Sequence, residues 1–95
     1  MSVEAEMSVL GCMMLDDEFC REAIDSLTEE MFSHQKTRKI FAAAVTAYWQ
    51  GQKIDGISLI GLLPEEKDTL LKLAEYVPTT SHGPEYIQIV RNDWQ

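Results

Sequence analysis

The sequence has few basic residues, two cysteines and no long apolar run. Eight Lys and Arg stand against sixteen Asp and Glu, so the 95 residues carry a formal net charge of −8. Binding to nucleic acid requires clustered Lys and Arg, and this balance argues against it. Two cysteines cannot form a disulfide scaffold, and no stretch resembles a signal peptide or a membrane span. We expect a protein of the reducing cytoplasm.

The sequence also lacks the short motifs of the common catalytic classes. It contains no GxxxxGKS/T, GxGxxG, GxSxG or HExxH. The soft metal ligands are Cys12, Cys20, His34 and His82, and their spacing matches no zinc signature, in which ligands come in close pairs. We therefore expect no catalytic residue, no metal site and no cofactor in this chain.

Every strong pattern has helical period, which predicts an all-α fold, a compact bundle of about six helices in a single domain over residues 1–95. The first helix is expected over residues 3–15, and its polar stripe of Glu4, Ser8 and Gly11 is so narrow that it should be the most enclosed. A second helix, capped by Asp16 or Asp17, is expected to end near Ser26, and a turn capped by Thr28 follows it. A long helix is expected over 34–50, where Gly51 ends it, and then a short helix capped by Ser58.

The last expected elements are a helix that begins at Pro64, a loop over 77–84 and a final helix that begins at Pro84.

Several residue groups have a structural interpretation. The acidic pairs at 16–17, 29–30 and 65–66 fall at helix starts, where caps and dipoles favour acid. Met7, Met13 and Met14 suit core gaps, and the basic cluster of Lys36, Arg38 and Lys39 suits a solvated first turn. Large aromatics such as Tyr48, Trp49 and Trp94 favour both cores and interfaces. From pattern alone, the chain is a helical interaction module.

Three blocks that cover nearly the whole chain carry a family resemblance. They are EAEMSVLGCMMLDDE at residues 4–18, LTEEMFSHQKTRKIFAAAVTAYWQGQKIDGISL at 27–59 and LAEYVPTTSHGPEYIQIVRND at 73–93. In this order they resemble the N-terminal domain of DnaB-type replicative DNA helicases. The sequence departs from that family at Met7, where glutamine is common, and in the short segment PEEKDT, where the family often has a longer insert.

The resemblance implies an all-helical head ahead of a helical hairpin, a linker and a RecA-like motor, and we expect the native chain to continue past Gln95 into them. Heads of this family form the collar of a hexameric ring and receive primase and, in some bacteria, a loader. The resemblance thus implies self-association and docking without catalysis in this chain, with ATP, Mg²⁺ and DNA bound by the motor. Candidate partner-interface residues are Glu4, Trp49 and Trp94.

Three alternatives stay open. The chain could be the helicase-binding domain of a primase, which is thought to share the fold, although the EAE and SVLG block favours the helicase. It could be a free-standing regulator of the replisome. It could also be a small helical hydrolase using His82 or Cys12, which a reactive thiol of low pKa would support.

Overall fold

The computed structural model describes residues 3–76 and 82–94, and within these ranges it is built of helices without a strand. The α-helices are α1 Val3–Leu15, α2 Asp17–Ser26, α3 Gln35–Trp49, α4 Gly56–Leu62, α5 Lys67–Tyr76 and α6 Gly83–Trp94, with 3-10 turns at Glu29–Met31 and Pro64–Glu66. The prediction of an all-α bundle of about six helices is confirmed. None of these helices, within the described ranges, is long and apolar enough to cross a bilayer.

Helix α1 lies at the centre of the bundle, in contact with α2, α3, α5 and α6. Eight of its 13 residues are buried, in agreement with the expected enclosure. The predicted polar stripe is wrong at Ser8 and Gly11, which are both buried because neighbours surround the helix. Burial of Ser8 is tolerated because its hydroxyl donates to the carbonyl of Glu4 at 2.8 Å.

Short-range capping fixes the starts of α2 and α4. Asp16 is the N-cap of α2, where its carboxylate accepts from the backbone N–H groups of Glu18 and Phe19. The cap of α4 is Asp55 and not the predicted Ser58, whose backbone N–H donates to Asp55 at 2.8 Å. The carboxylate precedes the helix, so it can reach the unpaired N–H groups of the first turn, whereas Ser58 already lies within that turn.

The remaining boundaries agree closely with expectation, with three small differences. Thr28 precedes its turn but its side chain makes no capping hydrogen bond. Pro64 begins a 3-10 turn ahead of α5, and α6 begins at Gly83, one residue before Pro84. Gly51 ends α3 with a φ of +76°, a conformation that glycine adopts at no steric cost. The predicted loop at 77–84 lies mostly outside the described residues.

The core contains a pair of stacked aromatic rings. Phe32 and Phe41 are fully buried, with ring centroids 4.5 Å apart and planes inclined at 25°. Of the methionines, Met13 is buried and Met7 and Met14 are partly buried against the core, as the core interpretation predicts. The other large, fully buried side chains are Leu10, Ile40, Leu59, Leu70 and Leu73.

Candidate interaction surface

The three residues predicted for a partner interface are all exposed. Glu4 lies on the first turn of α1, Trp49 ends α3 with 64% of its surface exposed, and Trp94 ends α6 with 49% exposed. Tryptophan is enriched at the centres of interfaces, so the exposure of Trp49 and Trp94 is compatible with that role.

The directions of the helices separate Trp49 from the other two candidates. The starts of α1 and α3 are joined by hydrogen bonds from Ser33 and Thr37 to Glu6, so the two helices begin at one end of the bundle. Helix α6 begins against the ring of Phe19, just beyond the end of α1, and then packs along α1 and the first 3-10 turn. It therefore runs opposite to α1. Glu4 and Trp94 lie at one end of the bundle, and Trp49 lies at the other.

Trp49 lines a cleft of about 380 Å³ between α2 and α3. Its ring meets Tyr48 edge to face, with centroids 5.3 Å apart, and the Tyr48 hydroxyl accepts from Arg21 at 3.4 Å. Apolar and acidic side chains share the cleft: Ile24, Leu27, Phe41, Val45, Asp25 and Glu29. A neighbouring aromatic ring thus supports Trp49 in an exposed position beside a cleft of mixed apolar and polar lining.

A second depression, which we call the basic groove, lies where α1, α3 and α5 meet near the starts of α1 and α3. It has a volume of about 430 Å³ and mostly apolar walls. Its lining residues are Val3, Met7, His34, Gln35, Lys36, Thr37, Thr69 and Lys72. The sequence did not predict this groove because its residues come from three separate segments. The spacing of residues within one segment does not show which segments pack together.

Beside the basic groove, a buried carboxylate ties α1 to the start of α3. Glu6 is only 3% exposed. One of its oxygens accepts from the Ser33 backbone N–H at 3.1 Å and from the Ser33 hydroxyl, and the other accepts from the Thr37 hydroxyl at 2.5 Å. His34 Nδ1 lies 3.7 Å from the second oxygen. We call this arrangement the Glu6 clamp.

The electrostatics of the Glu6 clamp favour the ionised form. Burial raises the pKa of Glu6, but hydrogen bonds from Ser33 and Thr37 lower it by more, so the pKa lies below its ordinary value of 4.5. An enclosed carboxylate that is already fully hydrogen-bonded is suited to holding two helices together rather than to proton transfer. The sequence held one signal of this role, because Glu6 falls on the apolar row of Val9 and Met13, where a charge must find partners.

The basic residues at the start of α3 were predicted to be solvated, but two of the three make contacts within the fold. Arg38 donates to the backbone carbonyl of Phe32 at 3.2 Å. Lys39 pairs with Glu65 and with the buried Glu66, each at 3.2 Å. The Lys39 contacts link α3 to the second 3-10 turn. Lys36 is left exposed on the rim of the basic groove.

The two thiols are buried and poorly suited to nucleophilic chemistry. Burial, and secondarily the charge of Asp16, raises the pKa of Cys12 to about 11. Burial and Asp17 raise the pKa of Cys20 to the same value. A thiol of this pKa is almost entirely protonated at neutral pH, which weakens the hydrolase alternative.

The histidine and metal candidates also lack the arrangement that chemistry would need. His82 lies 3.5 Å from Glu85, three residues further along the chain, but both side chains are largely exposed. Across residues 3–76 and 82–94, no three His, Cys, Asp or Glu side chains come together as a possible metal site.

Comparisons with known proteins agree on one family. Residues 1–92 match a family model described as the DnaB-like helicase N terminal domain. The crystal structure of the N-terminal domain of DnaB helicase from Mycobacterium tuberculosis is similar, with a TM-score of 0.89 and 23% sequence identity. The similarity covers 98% of this chain and 72% of that chain, and at this identity it establishes the fold. No curated protein sequence matches this chain.

Proposed function

Because this chain belongs to the family of DnaB-like helicase N-terminal domains, we propose that it is the docking and self-association domain of a replicative helicase, which receives primase or a helicase loader. The observation that supports docking is the exposure of Trp49 and Trp94 at opposite ends of the bundle. Two separated aromatic surfaces suit a domain that contacts a neighbouring subunit with one end and a partner protein with the other.

The remaining parts of helicase action belong, in this proposal, to a motor domain outside these residues. That motor would bind ATP, Mg²⁺ and DNA in the cytoplasm. The net charge of −8 supports this division, because the domain would repel the phosphate backbone rather than hold it. Sequencing the gene past the codon for Gln95 tests the division directly. A helical hairpin and a GxxxxGKS/T motif should follow, whereas a stop codon would favour a free-standing regulator.

The docking proposal is tested by calorimetric titration with the C-terminal domain of the cognate primase. We expect saturable binding, and flat heats at about 10 to 100 μM would contradict the proposal for primase. The same titration with the loader protein covers the second partner.

Point variants then locate the docking surface. If Trp49 or Trp94 is at its centre, Trp49→Ala or Trp94→Ala should weaken binding by about tenfold or more. Glu4→Ala tests the third candidate residue. Leu71→Ala is a matched control, because Leu71 is also a large apolar side chain, 51% exposed, but lies on α5 and lines neither the Trp49 cleft nor the basic groove. Unchanged binding in both tryptophan variants would mean that docking uses another surface, and an equal loss from Leu71→Ala would mean that the effect is not specific to the tryptophans.

Self-association is tested by sedimentation velocity over a range of protein concentrations. The proposal predicts concentration-dependent dimers or larger rings, reduced by substitution at the end that contacts the neighbouring subunit. A single monomer peak at every concentration would contradict self-association through these residues.

A further inference from the structure

We propose that the basic groove binds an amphipathic segment of a partner protein, one that presents apolar side chains between carboxylates. This inference rests on the proposed function, since the segment would belong to a docking partner. It adds the location of the contact and the chemistry of the partner, neither of which follows from the exposed tryptophans.

The walls of the basic groove supply the apolar part of the recognition. Val3 and Met7 extend from α1 into it, and Met7 is only partly covered by the core. A methionine side chain is unbranched and polarisable, so it adapts to the shape of an incoming apolar group. The volume of about 430 Å³ lies within the range of clefts that enclose a small ligand. It is sufficient for the anchor side chains of a short segment.

Two lysines on the rim supply the charge. Lys36 on α3 and Lys72 on α5 are both exposed, and no carboxylate among residues 3–76 and 82–94 lies within ion-pairing distance of either ammonium group. Arg21 and Lys39 are paired with acids of this chain, and the other unpaired lysines of the described residues, Lys53 and Lys67, do not line the groove. In a protein with twice as many acids as bases, two unpaired lysines facing one apolar groove favour a partner with carboxylates.

The Glu6 clamp fixes the shape of the basic groove. It ties Thr37, which lines the groove, to α1, which supplies Val3 and Met7. Both oxygens of the Glu6 carboxylate already accept hydrogen bonds from the start of α3. The groove is therefore preformed, and binding there costs little ordering of the domain.

A protein segment fits these observations better than nucleic acid does. Neutralising a phosphate backbone takes many basic side chains, and the groove offers Lys36 and Lys72 with an apolar floor between them. Carboxylates placed on either side of an apolar anchor match this pattern, in the manner of a helix or an extended peptide laid into a groove.

The test uses the full chain and a fluorescein-labelled peptide with leucines on one helical face and glutamates elsewhere, followed by fluorescence anisotropy. The double variant Lys36→Glu/Lys72→Glu should weaken its binding by about tenfold or more, since two attractive contacts become repulsive. The matched control is Lys53→Glu/Lys67→Glu, which makes the same change in net charge at two exposed lysines outside the groove. It should change affinity by less than about twofold, once circular dichroism shows both variants folded.

The outcomes separate this inference from the proposed function. Equal losses in the two double variants would overturn it, because the peptide would then respond only to overall charge. It would also be overturned by equal binding of a peptide with lysines in place of glutamates, or by tighter binding of a single-stranded oligonucleotide. If the peptide fails to bind while the primase domain or loader still binds, the inference fails and the proposed function stands. If neither partner protein binds, the docking function itself fails.

Nuclear magnetic resonance of the ¹⁵N-labelled domain shows where on the domain the peptide binds. Peptide-induced shifts should concentrate on the amides of Met7, Thr37 and Thr69, which come from the three helices that form the groove. Shifts confined to the cleft around Trp49 would place the peptide elsewhere and overturn the assignment.

Discussion

The carboxylate of Glu6 on α1 accepts a hydrogen bond from the backbone N–H of Ser33, 27 residues further along the chain, at 3.1 Å. Ser33 lies just before α3, so Glu6 anchors the residues that lead into α3, and its contact with the Thr37 hydroxyl extends this anchor into the first turn. His34, at the N-cap position of α3, makes no capping hydrogen bond with its side chain. The start of α3 thus depends on α1.

Removing the Glu6 carboxylate should destabilise the domain. Glu6→Ala removes the acceptor of the Ser33 N–H and leaves the Thr37 hydroxyl with the His34 carbonyl as its remaining acceptor, and we expect a loss of about 1 to 3 kcal/mol in the free energy of unfolding. Urea titration followed by circular dichroism measures it. Glu4→Ala, an exposed change on the same helix, is the control and should stay within about 0.5 kcal/mol. Equal effects of the two changes would show that the clamp adds nothing to stability.

The Glu6 clamp should also make stability depend on pH. The folded-state pKa of Glu6 lies below its ordinary value of 4.5, so the folded protein holds this proton less tightly than the unfolded chain does. Its contribution is therefore complete above that ordinary value and is lost as the pH falls through the lower, folded-state value. Urea titrations at several acidic pH values should show a shallower decline in Glu6→Gln than in the parent. Asp55 and Glu65, whose pKa values are also lowered, contribute to both proteins and cancel in this comparison. Parallel declines would contradict the assigned shift.

On α3, loss of the buried ring of Phe41 should destabilise the domain more than loss of the exposed ring of Trp49. Phe41 is 1% exposed and stacks on Phe32, so Phe41→Ala creates a cavity and should cost about 3 to 5 kcal/mol. In a domain of ordinary stability this removes much of the folded population. Thermal unfolding followed by circular dichroism measures it, with Trp49→Ala as the exposed aromatic control on the same helix. An unchanged melting temperature in Phe41→Ala would mean that α3 faces the other way.

The two thiols should react only when the domain opens. Because burial raises the pKa of Cys12 and of Cys20 to about 11, few thiolates exist at pH 8, and those few are shielded. A disulfide reagent such as DTNB should label neither residue quickly in the native protein and both at once in urea. Rapid labelling of one thiol in the folded state would return the hydrolase alternative to consideration.

The parts of the fold that the sequence predicted are those governed by neighbours along the chain. The bounds of α1, the cap at Asp16 and the stop at Gly51 each depend on a few consecutive residues, and all three are confirmed. The cap of α4 was misplaced because Asp55 and Ser58 are both good capping residues, and only the backbone path decides between them. Burial of Ser8 was missed because it depends on how many helices surround α1.

The candidate interface residues also divide into what the sequence predicted and what only the packing of the helices shows. Glu4, Trp49 and Trp94 are exposed, but only the paths of α1, α3 and α6 show that they do not share one surface. The Glu6 clamp joins Glu6 to Ser33 and Thr37, which lie 27 and 31 positions further along the chain. The basic groove is formed by residues of three helices. Local patterns carry no information at these separations, so one sequence could suggest the residue types but not their meeting.

The central position of α1 affects when the domain can fold during its synthesis. Helix α1 is synthesised well before α6, which packs along it with Ile87 and Val90 buried. Until residues 83–94 have been synthesised, the apolar side chains of α1 have no complete cover. The contact that closes the core spans almost the full length of the chain, which slows folding compared with helical proteins built from local contacts. The core of this domain is therefore complete only once both helices are present, and until then the apolar side chains of α1 are exposed to aggregation.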